Sequence, residues 1–294
     1  MASYLAQQTI NALQLGSIYA LIALGYSMVY GVLVMINFAH GDLFMLGAFA
    51  CLLLATLLPV HLPLVVILLV VMVVIGAVGA LIERIAYRPL RNAPRVSAII
   101  TALGCGLVIE NTTLSISPYP HFMPELFHST TIAWGGLTIT TLQILIIGVS
   151  LALMIGLDLL VTRTPFGMAM RAISFDARTV PLMGIPVNSL ISRTFFLGAG
   201  LGGAAGVLYS LAYPQVSAGM GVLIGWKAFI AAVIGGIGSI RGAVLGGFIL
   251  GAVEVMAVAF LPSTYRDLIS YSLLLVILIF KPYGLLGQPP NQKV

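Results

Sequence analysis

Charge is what this sequence has least of. Of its 294 residues only 7% are Asp, Glu, Lys or Arg, and 60% are hydrophobic, whereas an ordinary soluble domain carries roughly 25% charged residues. A soluble fold of this chain would have no polar coat, so that class is excluded. Cysteine is scarce as well. Cys51 and Cys105 both lie inside apolar runs without metal-ligand spacing and read as packing residues, so neither a disulfide framework nor a metal centre is expected. His121 and His128 likewise lack metal-ligand spacing. No G-x-x-x-x-G-K-[ST] loop occurs, so the usual cradle for nucleotide phosphates is missing and any ATP chemistry belongs to another chain. No Ser or Cys stands in a nucleophile motif, which makes His40 a poor catalytic candidate and argues against an intramembrane enzyme. No Lys or Arg precedes Arg84; without a basic n-region no cleaved signal peptide is evident, and the first helix is expected to serve as the membrane address.

What is there is a succession of apolar runs, at about residues 9–34, 42–58, 62–83, 96–116, 139–161, 190–212, 224–239, 242–261 and 267–281. A run of about 20 residues crosses a hydrocarbon core of roughly 30 Å at 1.5 Å per helical residue. The sequence therefore predicts an all-α polytopic membrane protein in one domain, residues 1–294, with about eight spanning helices plus a short broken or re-entrant segment. The net charge of +5 does not point to nucleic acid. Its basic residues fall between apolar runs, as Arg84, Arg88, Arg91 and Arg95 in one stretch and Arg163, Arg171, Arg178 and Arg193 in another. By the positive-inside rule both stretches are cytoplasmic. Counting from them puts the N-terminus, the Pro59–Pro63 turn, the 117–138 loop and the Tyr213–Gly221 loop outside, and the tail with Lys281 and Lys293 inside.

Two runs are interrupted. INFAHGD places Asn37, His40, Gly41 and Asp42 in an otherwise apolar stretch, and GGIGSIRG places Gly235, Gly236, Gly238 and Ser239 at the end of a short run. Breaks of this kind survive in lipid only where protein or a water-filled path takes up the freed backbone groups. They sit in comparable positions, each leading into a Gly-containing helix, HGDLFMLGAF and RGAVLGGFIL. That pairing predicts two pseudo-repeated halves with a transport path between them. The glycines of 198–206 and 246–251 are read as close helix contacts.

Few ionisable residues remain. Glu110, beside Asn111, is read either as a counter-charge for a substrate ammonium or as a carboxyl that reaches the outer interface or pairs with another helix, with the second reading preferred. Glu254 lies deeper, where burial favours a neutral or hydrogen-bonded carboxyl between helices. Lys227 and Arg241 flank the short seventh run as snorkelling or gate residues, and Arg266 and Asp267 are read as interface anchors. Segment 162–189 carries Met170, Ile173, Ala177 and Val180 on one helical face, which needs a bilayer or a groove on a soluble partner.

The segments LGSIYALIALGYSMVYGVLVMINFAHGDLFMLGAF, ERIAYRPLR, RAISFDARTVPLMGI, WKAFIAAVIGGIGSIRGAVLGG and KPYGLLG resemble the LivH type of high-affinity branched-chain amino acid permease, over nearly the whole chain. The resemblance implies an import complex of the bacterial inner membrane with a LivM-like second permease, two ATPase subunits binding ATP and Mg, and a periplasmic substrate-binding protein, with no cofactor in this chain. It also maps an ATPase-coupling segment onto Arg171–Ile185, with Arg171, Ser174, Asp176, Arg178 and Gly184 as its candidate residues and Phe175 where an acidic or polar residue is usual. Permeases for urea or other small polar solutes are similar, so the resemblance leaves that substrate open. An ion-coupled secondary transporter would need a charged relay, for which only Glu110 and Glu254 offer themselves.

Overall fold

The computed structural model describes residues 1–57, 62–91, 93–176 and 179–287; Pro59, Ala177, Arg178 and Lys293, singled out above, lie outside them. Among the described residues ten α-helices carry the fold: α1 (Ala2–Leu33), α2 (His40–Leu57), α3 (Leu64–Ile82), α4 (Arg95–Ile116), α5 (Thr141–Arg163), α6 (Pro165–Phe175), α7 (Val187–Ala212), α8 (Met220–Gly235), α9 (Ile240–Phe260) and α10 (Tyr265–Phe280). Apart from the short α6, each matches one of the nine apolar runs. Seven helices are long and apolar enough to cross a membrane, while α8 and α10 have 16 residues each. The chain is thus a multi-pass helical membrane protein.

Helix α1 is the axis of the bundle. Its residues from Leu15 to Val32 are almost continuously buried, and it packs against α5, α7, α8 and α9. Contact between α1 and α9 is close because neither helix puts a side chain in the way. A Cβ on Gly16 would lie 2.9 Å from Phe248 Cα, and Gly247 and Gly251 face Ala20 and Gly16. Helices α3 and α7 pair in the same manner, and a Cβ on Gly203 would lie 2.9 Å from Ile75 Cβ. With lipid as apolar as leucine, such van der Waals contact is what holds helices together. Aliphatic residues on α3, α4, α5 and α10, such as Leu69, Leu107, Ile155 and Leu275, point outward, as a lipid- or subunit-facing belt requires.

The connections gather at two ends. At one end, β1 (His121–Phe122) pairs antiparallel with β4 (Gln215–Val216), and β2 (Thr131–Trp134) with β3 (Leu137–Thr140). Gln7 of α1 exchanges hydrogen bonds of 2.9 Å with the backbone of Thr138. At the other end α3 runs into a wide turn, Glu83–Tyr87, and a tight one, Arg88–Leu90. The buried Glu83 carboxylate there accepts from Arg91 and Ser192, and Arg91 also donates to Asn188 at 2.6 Å. Arg91 therefore turns inward instead of serving as a free basic anchor, because the buried Glu83 requires a partner.

Gly16→Ala should destabilise the detergent-solubilised protein by about 1–3 kcal/mol, since α1 and α9 would be forced apart. A Cβ on Gly148 meets nothing within 4 Å, so Gly148→Ala should be neutral or stabilising by up to about 1 kcal/mol. Thermal unfolding of the two variants side by side checks both.

Candidate translocation site

The first interruption falls between α1 and α2. Helix α1 ends on Val34, whose φ of 54° is left-handed, a strained conformation for a β-branched residue. Asn37 and His40 then restart the chain: the amide of His40 donates to the Asn37 carbonyl at 3.1 Å, and the amide of Leu43 to that of Ala39 at 3.1 Å. The Asn37 side chain accepts from Tyr87 Oη at 2.8 Å. His40 is fully buried, packed edge-on against Tyr26 with ring centroids 4.6 Å apart. Neither of its ring nitrogens has a hydrogen-bond partner of good geometry among the described residues, and the Ile22 carbonyl is the polar group facing it. A Cβ on Gly202 would stand 3.2 Å from His40 Cε1. Gly202 lies roughly 22 Å from one end of α7 and roughly 15 Å from the other, so the restart is at mid-depth in the bundle.

Next to it is a cavity of about 320 Å³ lined by α1, α2, α4 and α8, with Tyr26, Phe38, Trp226 and Phe229 as an aromatic wall and Asp42 and Glu110 as its two carboxylates. Glycines make the space. Gly41 meets Gly225 backbone to backbone, and Cβ atoms on Gly106 and Gly221 would lie 2.5 Å and 2.9 Å from the Asp42 oxygens. Asp42 is 5% exposed, and its Oδ1 has no hydrogen-bond partner among the described residues. Glu110 is half-buried on the cavity side of α4 and is electrostatically coupled to Asp42. The interface reading preferred for Glu110 gives way to the inward one, because α4 turns this face, with Gly106, toward the start of α2. Asn111 does not share it: exposed, it donates back to the Leu107 carbonyl at 2.8 Å.

The second interruption is a turn. Gly236 and Gly238 have φ of 109° and 93°, open to glycine and strained for other residues. Ser239 caps α9 through Gly242 N at 3.1 Å. The last described residues close the end of α8, where the amides of Leu285 and Leu286 donate to the carbonyls of Ile234 and Gly235 at 2.9 Å each. KPYGLLG carried no such role in the sequence reading; its signal was a conformationally special glycine, Gly284, with φ 78°. The two interruptions approach each other, with Gly31 of α1 beside Gly238.

Charge collects at a third place. Glu254 of α9 is fully buried and receives Lys227 Nζ at 3.1 Å, Arg266 at 2.6 Å, Tyr19 Oη at 2.9 Å and Ser270 Oγ at 3.0 Å. Lys227 also meets Asp267 at 2.8 Å. Glu254 is hydrogen-bonded between helices, one of the two readings its burial allowed, and is ion-paired besides. Two expectations are corrected: Lys227 is buried instead of snorkelling, and Arg266 and Asp267 are network members instead of interface anchors. The physical reason is common to all: α8, α9 and α10 pack together, so each charge finds its opposite before it finds water. Glu254 and Arg266 also border a second cavity of about 510 Å³ with Gln8, Asn11 and Gln14. Arg241 is exposed and lies 3.7 Å from Asp158.

In the segment that the family resemblance assigns to ATPase coupling, Arg171 folds back onto the Val161 carbonyl, Ser174 donates to the Arg171 carbonyl at 2.7 Å, and Asp176 accepts from Thr179. Gly184 ends a short turn, Val180–Met183, with φ 76°. Arg178 lies outside the described residues. Helix α6 buries Gly167, Met170 and Ile173, with Val180 beyond it, against the chain's own helices; the face expected to meet a partner is already covered. Exposed apolar residues remain instead at Phe175, Leu182 and Met183.

A helical bundle with a helix restarted at mid-depth beside a cavity defines a membrane permease. The family model described as "Branched-chain amino acid transport system / permease component" matches residues 8–278. The chain is 40% identical to the high-affinity branched-chain amino acid transport system permease protein BraD of Pseudomonas aeruginosa, over 98% of this chain and 97% of that one. It is 38% identical to the corresponding protein LivH of Escherichia coli K12, over 99% and 98%. A shorter likeness, 30% over 43% of this chain, is to the probable branched-chain amino acid transport permease protein LivM of Methanocaldococcus jannaschii. The chain belongs to this permease family, a family of transport components and not of enzymes.

Glu254→Ala should cost about 3 kcal/mol of stability, by leaving the buried Lys227 with only the exposed Asp267 and taking from the partly exposed Arg266 its carboxylate. Lys227→Met should cost less, because Arg266 still partners the carboxylate. Thermal unfolding of both variants in detergent measures the difference.

Proposed function

We propose that this chain is one of two permease subunits of an ATP-driven importer that carries branched-chain amino acids across a bacterial inner membrane into the cytoplasm. The observation that carries this reading is the cavity at the restarted helix, since a path through a bundle needs unwound backbone at mid-depth and room beside it. Relatives matched over nearly the full chain are named for transport of this substrate class, and the cavity's aromatic wall suits an apolar side chain. That wall favours branched-chain amino acids over urea. Against an ion-coupled carrier, Glu254 is engaged by four neighbouring side chains.

In this reading the end holding the strand pairs and Gln7 faces outward and receives substrate from a periplasmic binding protein, while the end rich in arginine faces the cytoplasm. Two ATPase subunits hold ATP and Mg and dock below. Their footing on this chain is the exposed apolar group Phe175, Leu182 and Met183. The underlying α6 is rigidly seated on α1, α5 and α7, so movement of that footing tilts the helices lining the path. A LivM-like permease closes the open side of the cavity, and the partial likeness to a protein of that name fits a paired arrangement of related subunits.

Purification of the tagged chain from its native membrane in mild detergent, followed by mass spectrometry, should recover a related permease and P-loop ATPases. Recovery of a stable chain with neither would overturn the importer reading. Leu182→Glu combined with Met183→Glu should deplete the ATPases in that preparation about tenfold or more, by burying charge at the docking contact, and leave the second permease in place.

A further inference from the structure

We propose that Asp42 and Glu110 form a cation-recognition site that takes the α-ammonium group of the transported amino acid, with its side chain against Phe38, Trp226 and Phe229. This rests on the importer reading above and adds to it the part of the substrate that this chain reads.

Asp42 carries the inference. A carboxylate 5% exposed with one oxygen unpartnered is costly to keep in a protein interior, and almost all such groups are paired. Four cationic or hydroxylated side chains converge on Glu254 in the same molecule; among the described residues no cation lines the Asp42 cavity, and the Tyr26 hydroxyl that shares it makes no hydrogen bond to Oδ1. The residues lining its cavity include no Lys or Arg, and the second ionisable carboxyl there, Glu110, has the same sign. Two carboxylates facing one space of low dielectric repel each other, and a cation between them turns repulsion into attraction. No residue lining the cavity supplies that cation, so one that binds there comes from outside the chain. Glycines 106 and 221 withhold the Cβ atoms that would cover the Asp42 oxygens, so the carboxylate stays open to the cavity.

The remaining wall says what accompanies the charge. Phe38, Trp226 and Phe229 meet one another at centroid distances of 5.8–5.9 Å, and Tyr26 joins Phe229 at 6.0 Å. Aromatic faces accept both aliphatic groups and ammonium ions. At 320 Å³ the space falls at the small end of ligand cavities, about 300–1,000 Å³. The ligand class is thus a primary ammonium with a short branched apolar tail. Nothing basic in the cavity addresses a carboxylate, so this site reads the amine end of the substrate.

The test uses the whole importer in proteoliposomes and the diazirine analogue of leucine as probe, with labelled peptides mapped by mass spectrometry. Label is expected on Phe38 or on the Val222–Phe229 stretch. A large excess of 3-methylbutylamine, which keeps the ammonium and the tail, should suppress it at least about fivefold. The same excess of 4-methylpentanoate, which keeps the tail and carboxylate without the ammonium, should leave it within about twofold. Asp42→Asn should lower labelling about tenfold or more, and Glu110→Gln by a smaller factor, as expected for removing a charged hydrogen-bond acceptor. Subunit composition on size exclusion should not change. If Asp42→Asn fails to assemble, Glu110→Gln and the two competitors in the unaltered importer decide. Label elsewhere in a complex that imports leucine, equal competition by amine and acid, or undiminished labelling of the assembled Asp42→Asn complex would overturn the ammonium site and leave the importer reading standing. An unaltered complex that imports no leucine would overturn the importer reading itself.

Discussion

In hydrocarbon, a backbone amide or carbonyl that leaves its helix has no water to turn to, and each such group left alone costs several kcal/mol. Everything unusual in this bundle answers that constraint. Helix α1 stops at Val34 and α2 restarts at His40: the Val34 amide donates to the Tyr30 carbonyl and the His40 amide to the Asn37 carbonyl, while Tyr87, reaching in from the turn after α3, donates to the Asn37 side chain. Helix α8 stops at Gly235, and the chain's own tail comes back to take up its last carbonyls. The two solutions differ because the first must leave space beside it and the second must not. A side-chain partner for Asn37 leaves the cavity open, whereas the returning tail fills the end of α8.

Space and charge follow the same division. Where helices have only to adhere, glycine lets backbones touch, as between α1 and α9. Where the cavity lies, glycine instead withholds a side chain that would have covered Asp42. Acidic residues are treated in two ways as well. Glu83 and Glu254 are fully buried and fully engaged, each tying together helices that would otherwise be held only by dispersion. Removing one partner from such a cluster is far more costly than never having built it, so these clusters fix which helices stay together. Asp42 is as deeply buried and lacks that company. The contrast within one molecule is more informative than the burial of any one carboxylate.

Much of the architecture was legible because the bilayer imposes a length scale on sequence. All nine apolar runs became helices with ends displaced by a few residues or less, apart from the more exposed N-terminal extension of α1, and both breaks announced themselves through Asn, His, Asp and Gly in apolar surroundings. The segments assigned to one side by counting arginines do gather at one end of the molecule. What remained hidden was pairing at a distance. Nothing local in GAVEVMA says that Lys227 and Arg266 will stand beside Glu254, and nothing in CGLVIENTT says that Glu110 will look toward Asp42. Helices apolar all round have no moment to indicate which way a lone polar residue points. Segment 162–189 misled for a related reason. Its amphipathic period was real, but periodicity identifies a face that must be covered without saying by what, and the chain covers it itself.

That self-covering bears on how force could pass through the molecule. A coupling helix loosely adhering to a partner would move with the partner and leave the bundle behind. Here α6 is clamped by the Thr164 cap, by Arg171 on the last turn of α5, and by Met170 and Ile173 in the core. The apolar contacts left for a partner, Phe175, Leu182 and Met183, sit just beyond the clamp, and Gly184 turns the chain directly into α7. Helix α7 carries Gly202, against which His40 packs. From exposed footing to restarted helix the connection is therefore continuous through well-packed side chains, which transmit displacement because they have little free volume to absorb it. The cavity and the proposed footing sit at different depths of the bundle and α7 lines neither, yet it begins just after the footing, and its glycine-rich middle, where Gly202 meets His40, is where a small tilt would be felt first at the start of α2.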